Sequence, residues 1–427
     1  MNQISNKFRH LLWPIVSLAL LLLFNAIFTD NFFKIEIKSA DSSKKAVQTA
    51  APETPAVTGS ARIAPENYEG ASDSAEVITE INEAAEEAVE QQQAAAQQPV
   101  AAAPAQKEES KGVSIFGYYL SGTPIDILNQ GAKVMVLAIG MTLVIATGGI
   151  DISVGAVMAI SGAIAALLIS MLDAGNFPGS SLGPNVYWII PLAAALILAT
   201  VAGVWNGMLV AGFGIQPMVA TLVLMVAGRG VAQLITDGQI ITFDNPALVF
   251  LCNGHALFLP FSIWIVATMY IVAGLLTRKT AFGLFIESVG NNERASRYAG
   301  IEARRIKWLA YVICGFCAGV AGLLAASNIK CADSNNAGLY LELDAILATV
   351  IGGTSMAGGR FFLSGSLVGA ILIQTLTTTM YMKNVSPAIV QVPKAMVVII
   401  VCLLQSQVFR AKVLSVFASK AAKGGVQ

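Results

Sequence analysis

Apolar residues run in long stretches along most of this chain, and about twenty in a row are enough to cross a bilayer as a helix. Such stretches lie near residues 11–29, 128–148, 152–172, 187–210, 215–236, 257–277, 308–327, 343–356, 362–382 and 387–407. They predict about ten passes, several of them interrupted. The expected fold class is all-α: a polytopic helical membrane protein, because only helices satisfy their own backbone polar groups in hydrocarbon one segment at a time. Lys7 and Arg9 precede the first apolar core and no small-residue cleavage site follows it cleanly, so 1–33 reads as an uncleaved first transmembrane helix.

The polar segments between these runs orient the chain. Arg278–Lys307 carries Arg278, Lys279, Arg294, Arg297, Arg304, Arg305 and Lys307 against Glu287, Glu293 and Glu302, which marks it as cytoplasmic. An even number of passes then places both the N and C termini in the cytoplasm. Lys7 and Arg9 at one end, and Arg410, Lys412, Lys420 and Lys423 at the other, agree with that placement. The expected organisation is a transmembrane core at 113–410, a cytoplasmic segment at 278–307 and a cytoplasmic tail at 411–427.

Residues 34–112 depart from the pattern. They are rich in Ala, Glu, Gln, Pro and Ser, with nine acidic and no basic residues between Glu66 and Glu90. Such a segment buries too little apolar surface to offset its ordering entropy and is expected to be a largely disordered extracytoplasmic insertion. Val77, Ile78, Ile81, Ala84, Ala85, Ala88 and Val89 recur at helical spacing, so a short helix near 73–95 is compatible with it. It is read as a spacer, with a docking segment as the sharper alternative.

Composition changes the picture by exclusion. A chain of 427 residues that is 55% hydrophobic and 12% charged, with mean hydropathy +0.68, is not a soluble globule. His10 and His255 are its only histidines and offer neither a catalytic triad nor a metal cluster. Cys314 and Cys317 share one face of an apolar helix and read as buried packing residues, while placement alone would permit a disulfide between Cys252 and Cys331. The Gly-rich run Val350–Arg360 lacks the Gly-Lys-Ser/Thr ending of a phosphate loop and is expected to be the irregular cytoplasmic end of a short span.

Candidate chemistry concentrates where polar groups interrupt the spans. Gly148-Gly149 and Asp151 sit inside an apolar run; an ionised Asp there must face protein or a wet cavity. The pair of glycines either opens the backbone to line a pathway or kinks the chain for packing, with Asp151 capping the helix that begins at Ile152. Asn206, Gln216, Thr221, Arg229 and Gln233 supply amides, a hydroxyl and one cation; as a cluster they suit a polyhydroxylated ligand, and singly they serve as glue between helices. Lys133 can snorkel to the interface. The connector 278–307 is long for neighbouring spans and mixes apolar with charged residues, which favours docking to another protein.

Gly148-Gly-Ile-Asp-Ile-Ser-Val-Gly155, Pro217-Met-Val-Ala-Thr-Leu222, Gly290-Asn-Asn-Glu-Arg-Ala-Ser-Arg-Tyr-Ala-Gly-Ile301 and Leu343-Asp-Ala-Ile-Leu-Ala-Thr-Val-Ile-Gly-Gly353 resemble the permease subunits of ribose-type ABC sugar importers over about 115–407. The segments Met218–Thr236 and Ala332–Ile346 are most similar to the branch that serves galactofuranose. Residues 34–112 have no counterpart in that pattern, and Lys133 stands where such permeases carry a neutral residue. The resemblance implies a bacterial inner-membrane subunit that imports a monosaccharide and has no catalytic site, metal or cofactor of its own. ATP and Mg would belong to a cytoplasmic ABC ATPase. The other implied partners are a second permease, identical or paralogous, a periplasmic sugar-binding protein and the lipid bilayer, with no nucleic acid. Glu287, Gly290, Asn291, Asn292 and Ala295 match the family's ATPase-docking motif. The expected substrate pathway takes in Asp151, Asn206, Gln216, Thr221, Asn335 and Asn336. The alternative is an ion-coupled secondary transporter that uses Asp151 as its proton or sodium site.

Overall fold

A computed structural model of the chain describes residues 14–23, 25–26, 32–39, 118–173, 188–386, 389–396 and 399. Its helices, in chain order, are α1 (Pro14–Leu23), α2 (Thr123–Ala146), α3 (Val154–Asp173), α4 (Ile189–Gly207), α5 (Pro217–Ile235), α6 (Pro246–Asn253), α7 (Phe261–Lys279), α8 (Ala281–Asn291), α9 (Glu293–Tyr298), α10 (Ala303–Ile329), α11 (Leu341–Ile351) and α12 (Leu363–Met382). Seven of these are long and apolar enough to cross a membrane: α2, α3, α4, α5, α7, α10 and α12. The helix α4 continues through a single π-helical turn, Met208–Gly212.

The middle of the bundle is α2, α3 and α10. In α2, 78% of the most apolar window is buried, against 22% in α5 and α7, so the latter two stand at the periphery. A helix apolar all round is built to be enclosed, and α2 meets α12, α11, α7 and α10 on successive faces. Hydrocarbon gives no hydrophobic drive between helices, so close packing must supply the attraction, and small residues provide it. Ala199, Gly203 and Gly207 form one stripe on α4. A Cβ on Gly203 would lie 2.6 Å from the Tyr311 carbonyl of α10, and one on Gly315 would lie 2.7 Å from Gly203 Cα.

Short antiparallel ladders close the end of the bundle opposite α8. Strand β1 (Glu36–Ser39) pairs with β2 (Tyr118–Ser121) in the register Glu36↔Ser121 to Ser39↔Tyr118. The two chain segments that flank residues 40–117 therefore lie side by side. Two further pairs lie nearby in sequence to the loops they staple: β3 (Ile241–Thr242) with β6 (Cys331–Ala332), and β4 (His255–Ala256) with β5 (Leu259–Pro260). The backbone N–H of Leu120 also donates to the Phe258 carbonyl at 3.0 Å. The insertion's interior, the helix expected near 73–95 and the tail 411–427 lie outside the described residues.

Two readings are changed by the structure. The run 343–356 is not a full pass: α11 has 11 residues, about 16 Å of helix against a hydrocarbon core of about 30 Å. Its approach, Asp333–Tyr340, is non-helical and ends with Gly338 and Tyr340 at φ 74 and 64. Cys252 and Cys331 are both free, and Cys252 Sγ is instead engaged by Asn328 Nδ2 at 3.2 Å and Asn129 Oδ1 at 3.3 Å. Runs 11–29 and 387–407 are described only in part, as α1 and residues 389–396.

Helix α11 carries two acids in its first turn, Glu342 and Asp344, both buried. Lys394 reaches Asp344 with Nζ 3.2 and 2.9 Å from the two carboxylate oxygens, at 8% and 9% side-chain exposure. Removing one partner strands the other charge, which typically costs about 3–5 kcal/mol, whereas neutral replacement of both is often tolerated. Lys394→Met should therefore lower the thermal midpoint of the detergent-solubilised protein by several degrees, and Asp344→Asn added to it should restore most of the loss. An unchanged midpoint in the single variant would mean that the pair is hydrated and not structural.

Candidate translocation and coupling site

The interruption between α2 and α3 is built by its own residues. The helix α2 ends with Gly148 at φ 81; Gly148 N–H donates to Ile145 and Gly149 N–H to Val144, the double bond pattern that closes a helix through a left-handed glycine. The chain then turns through Ile150 and Asp151 into α3. Asp151 Oδ1 accepts from Ser153 N–H at 3.0 Å and from Ser153 Oγ at 2.6 Å, so the carboxylate satisfies donors at the start of α3. Asn206 Nδ2 on α4 donates to Ser153 Oγ at 2.7 Å and to Asp151 Oδ1 at 3.4 Å. The Ile150 carbonyl receives Thr221 Oγ1 from α5 at 3.4 Å and Tyr311 OH from α10 at 3.5 Å.

Three of the expected pathway residues thus come together: Asp151, Asn206 and Thr221 sit at 1%, 0% and 0% exposure around one turn. The other three stand elsewhere and are exposed. Gln216 precedes α5 at one end. Asn335 and Asn336 lie on the Asp333–Tyr340 segment beside Gln233 near the other end, about 25 Å along the helix axis from Gln216. That segment descends along α3: Ala332 shares a cluster with Ala165, Ala166 and Ile169, and Ala337 one with Ala159 and Ile160. It meets α3 at Gly155, where Gly338 comes so close that a Cβ on either would fall 2.3–2.5 Å from the other's carbonyl oxygen. Glu342 Oε2 lies where a Cβ on Gly155 would come within 2.3 Å of it; the residue is 3% exposed and Oε2 has no hydrogen-bond partner among the described residues.

The expected coupling residues occupy α8 and α9. Thr280 caps α8 by accepting from Phe282 N–H at 3.2 Å; Asn292 ends α8 and caps α9 by accepting from Ala295 N–H at 3.0 Å. Glu287, Asn291, Asn292 and Ala295 are exposed, beside Leu284 and Tyr298 at 67% and 93% exposure. Gly290 faces inward. A Cβ there would lie 1.9 Å from the Ala146 carbonyl oxygen and 2.5 Å from Gly359 N. The same Ala146 carbonyl accepts from Gly359 N–H at 2.9 Å, and Gly358 abuts Gly148. Three backbone segments therefore meet at the end of α2: α8, the Gly148 turn and the Gly-rich Val350–Arg360 run.

Glu342, Asp344, Lys394 and Tyr311 belong to these arrangements yet are not among the expected site residues. One signal was available. Leu341–Asp344 and the 387–407 run carry opposite charges in otherwise apolar stretches, and buried charges in membranes pair.

The family model for the permease component of branched-chain amino acid transport systems matches residues 123–403. The galactofuranose transporter permease protein YtfT of Escherichia coli K12 is 55% identical over 290 residues, 68% of this chain and 81% of the relative. The fructose import permease protein FruF of Bifidobacterium longum is 42% identical, covering 67% and 78%, and the ribose import permease protein RbsC of Escherichia coli K12 is 35% identical, covering 66% and 85%. No solved structure matches the chain.

In α9, Glu293 is held below the usual carboxylate range, first by its hydrogen bond from Lys307 and further by Arg297. A carboxylate lowered on folding stabilises the fold above its ordinary value and loses that contribution only as pH falls through the lowered one. Amide protection of residues 293–298, corrected for intrinsic exchange, should hold as pH falls to about 4.5 and decline only below it. In Glu293→Gln that decline should vanish; an identical decline in the variant would assign it to other groups.

Proposed function

This chain belongs to the family of transport-system permease components, and we propose that it carries galactofuranose or a similar simple sugar through the bacterial inner membrane as one subunit of an ATP-binding cassette importer. As a permease component it is a multi-pass transporter subunit and not an enzyme. The observation that carries the sugar assignment is the 55% identity to a galactofuranose permease across the core. Neutral amides on the open side of α5 and on Asp333–Tyr340 suit that cargo, since they donate and accept without burying net charge.

In this reading the basic segment that contains α8 and α9 faces the cytoplasm. Glu287, Asn291, Asn292 and Ala295 touch the partner ATPase, which holds ATP and Mg. Apolar residues left bare on α5, among them Met218, Leu222, Val226 and Leu234 at 48–79% exposure, face a second permease, with the pathway between the two. A periplasmic binding protein delivers the sugar to the opposite end. Nucleotide can drive uphill transport only through a difference in affinity for two access states. The linkage is the contact chain from Gly290 through the Ala146 carbonyl, the Gly148–Ser153 turn and Gly155 to Gly338. Asp151 has the part of a cap within that chain.

Liposomes holding the chain with its ATPase, second permease and binding protein should take up labelled sugar only when ATP is supplied on the ATPase side. Asp151→Asn keeps an acceptor for Ser153 and should retain uptake within about threefold. Uptake that needs no ATP, follows a proton or sodium gradient and disappears in Asp151→Asn would contradict the proposal.

A further inference from the structure

Arg229 pins the loop on which Asn335 stands. Its NH1 donates to two carbonyls of that loop, Ser334 at 3.1 Å and Ala337, and Thr236 Oγ1 lies 2.8 Å from Ser334 Oγ. Asp333 Oδ1 accepts from the backbone N–H groups of Asn335 and Asn336 at 3.0 and 3.1 Å. The loop is thus fixed by bonds that leave little of it to order when a ligand arrives.

The three amide groups on this face, Gln233, Asn335 and Asn336, are not equivalent. Asn336 Nδ2 is bound to Asp333 Oδ2 at 2.7 Å, which ties its donor to the loop itself. Gln233 Nε2 donates to Asn335 Oδ1 at 2.7 Å. That bond orients both side chains and leaves Gln233 Oε1 as an acceptor and Asn335 Nδ2 as a donor on two exposed, mutually bonded residues. A hydroxyl both donates and accepts, so the pair matches one sugar hydroxyl in both capacities. A cation or a carboxylate would satisfy only half of it.

We propose that Gln233 and Asn335 jointly bind one hydroxyl of the sugar in transit and that Arg229 is the positioning residue that holds them in register. The inference rests on the sugar-permease reading and names a contact within it. Arg229 itself touches loop carbonyls and not the sugar.

The test is a cycle between side chain and substrate in the reconstituted importer, with labelled galactofuranose and its monodeoxy analogues at saturating binding protein. Gln233→Met should slow uptake of the parent sugar about three- to tenfold, the worth of one hydrogen bond. One deoxy analogue should be slow with the wild type by a similar factor and suffer no further loss with the variant. The binding protein's own preference for each analogue cancels in the comparison. Asn335→Ala should single out the same hydroxyl, whereas Arg229→Lys should slow all analogues alike. Losses from side chain and hydroxyl that simply multiply for every analogue would overturn the inference alone. A wild-type importer that takes up no sugar would overturn the parent reading and this one with it.

Discussion

The Ala146 carbonyl oxygen is the point on which the rest of the structure depends. It accepts a hydrogen bond from Gly359 and lies so close to Gly290 that no side chain fits between them. One oxygen thereby joins α8, the end of α2 and the Gly-rich run before α12. Helices in lipid gain nothing from squeezing out water, so such backbone contacts are the stiffest couplings available to them. A displacement of α8 cannot be absorbed by side-chain rearrangement where no side chain exists.

From that point the contacts continue without a gap in the chain. Gly148 turns α2 into the short segment whose Asp151 and Ser153 are fastened to Asn206, and whose Ile150 carbonyl takes Thr221 and Tyr311. One residue into α3's first turn, Gly155 carries Gly338. The carboxylates divide by task along this route. Asp151 and Asp344 are enclosed and bonded, while the amide of Gln233 on α5 is exposed and, in the proposed function, holds a neutral solute that it can release. Tight charge pairing would immobilise cargo; single neutral bonds hold it weakly enough to let go.

Much of this was legible in sequence, for identifiable reasons. The seven long helices are long and strongly apolar, so their existence follows from composition and length, and Lys-Arg counts single out the basic segment 278–307. The turns at Thr280 and Asn292 follow from local capping chemistry. The half-length α11 was not legible because Leu341–Ile351 is as apolar as a full span, and nothing local marks Asp333–Tyr340 as a segment that runs back along α3. Of the two readings of Asp151, facing protein or a wet cavity, the structure shows a cap enclosed with Asn206 and Thr221, and the part of Tyr311 is not legible because it arrives from 161 residues away. Gln216 and Asn335 were named together and stand at opposite ends of α5, a distance that residue type alone does not reveal. The Asp344–Lys394 pair was within reach of charge counting and was overlooked.

In the proposed function, motion of α8 passes to the sugar path through the Gly290 contact with Ala146. The most direct measurement is the number of sugar molecules moved per ATP hydrolysed by the reconstituted importer carrying Gly290→Ala. A methyl group there must push α8 off the end of α2, so hydrolysis should continue while the transport ratio falls at least about tenfold, as small misplacements in coupled sites do. A ratio equal to that of the wild type would contradict the claim.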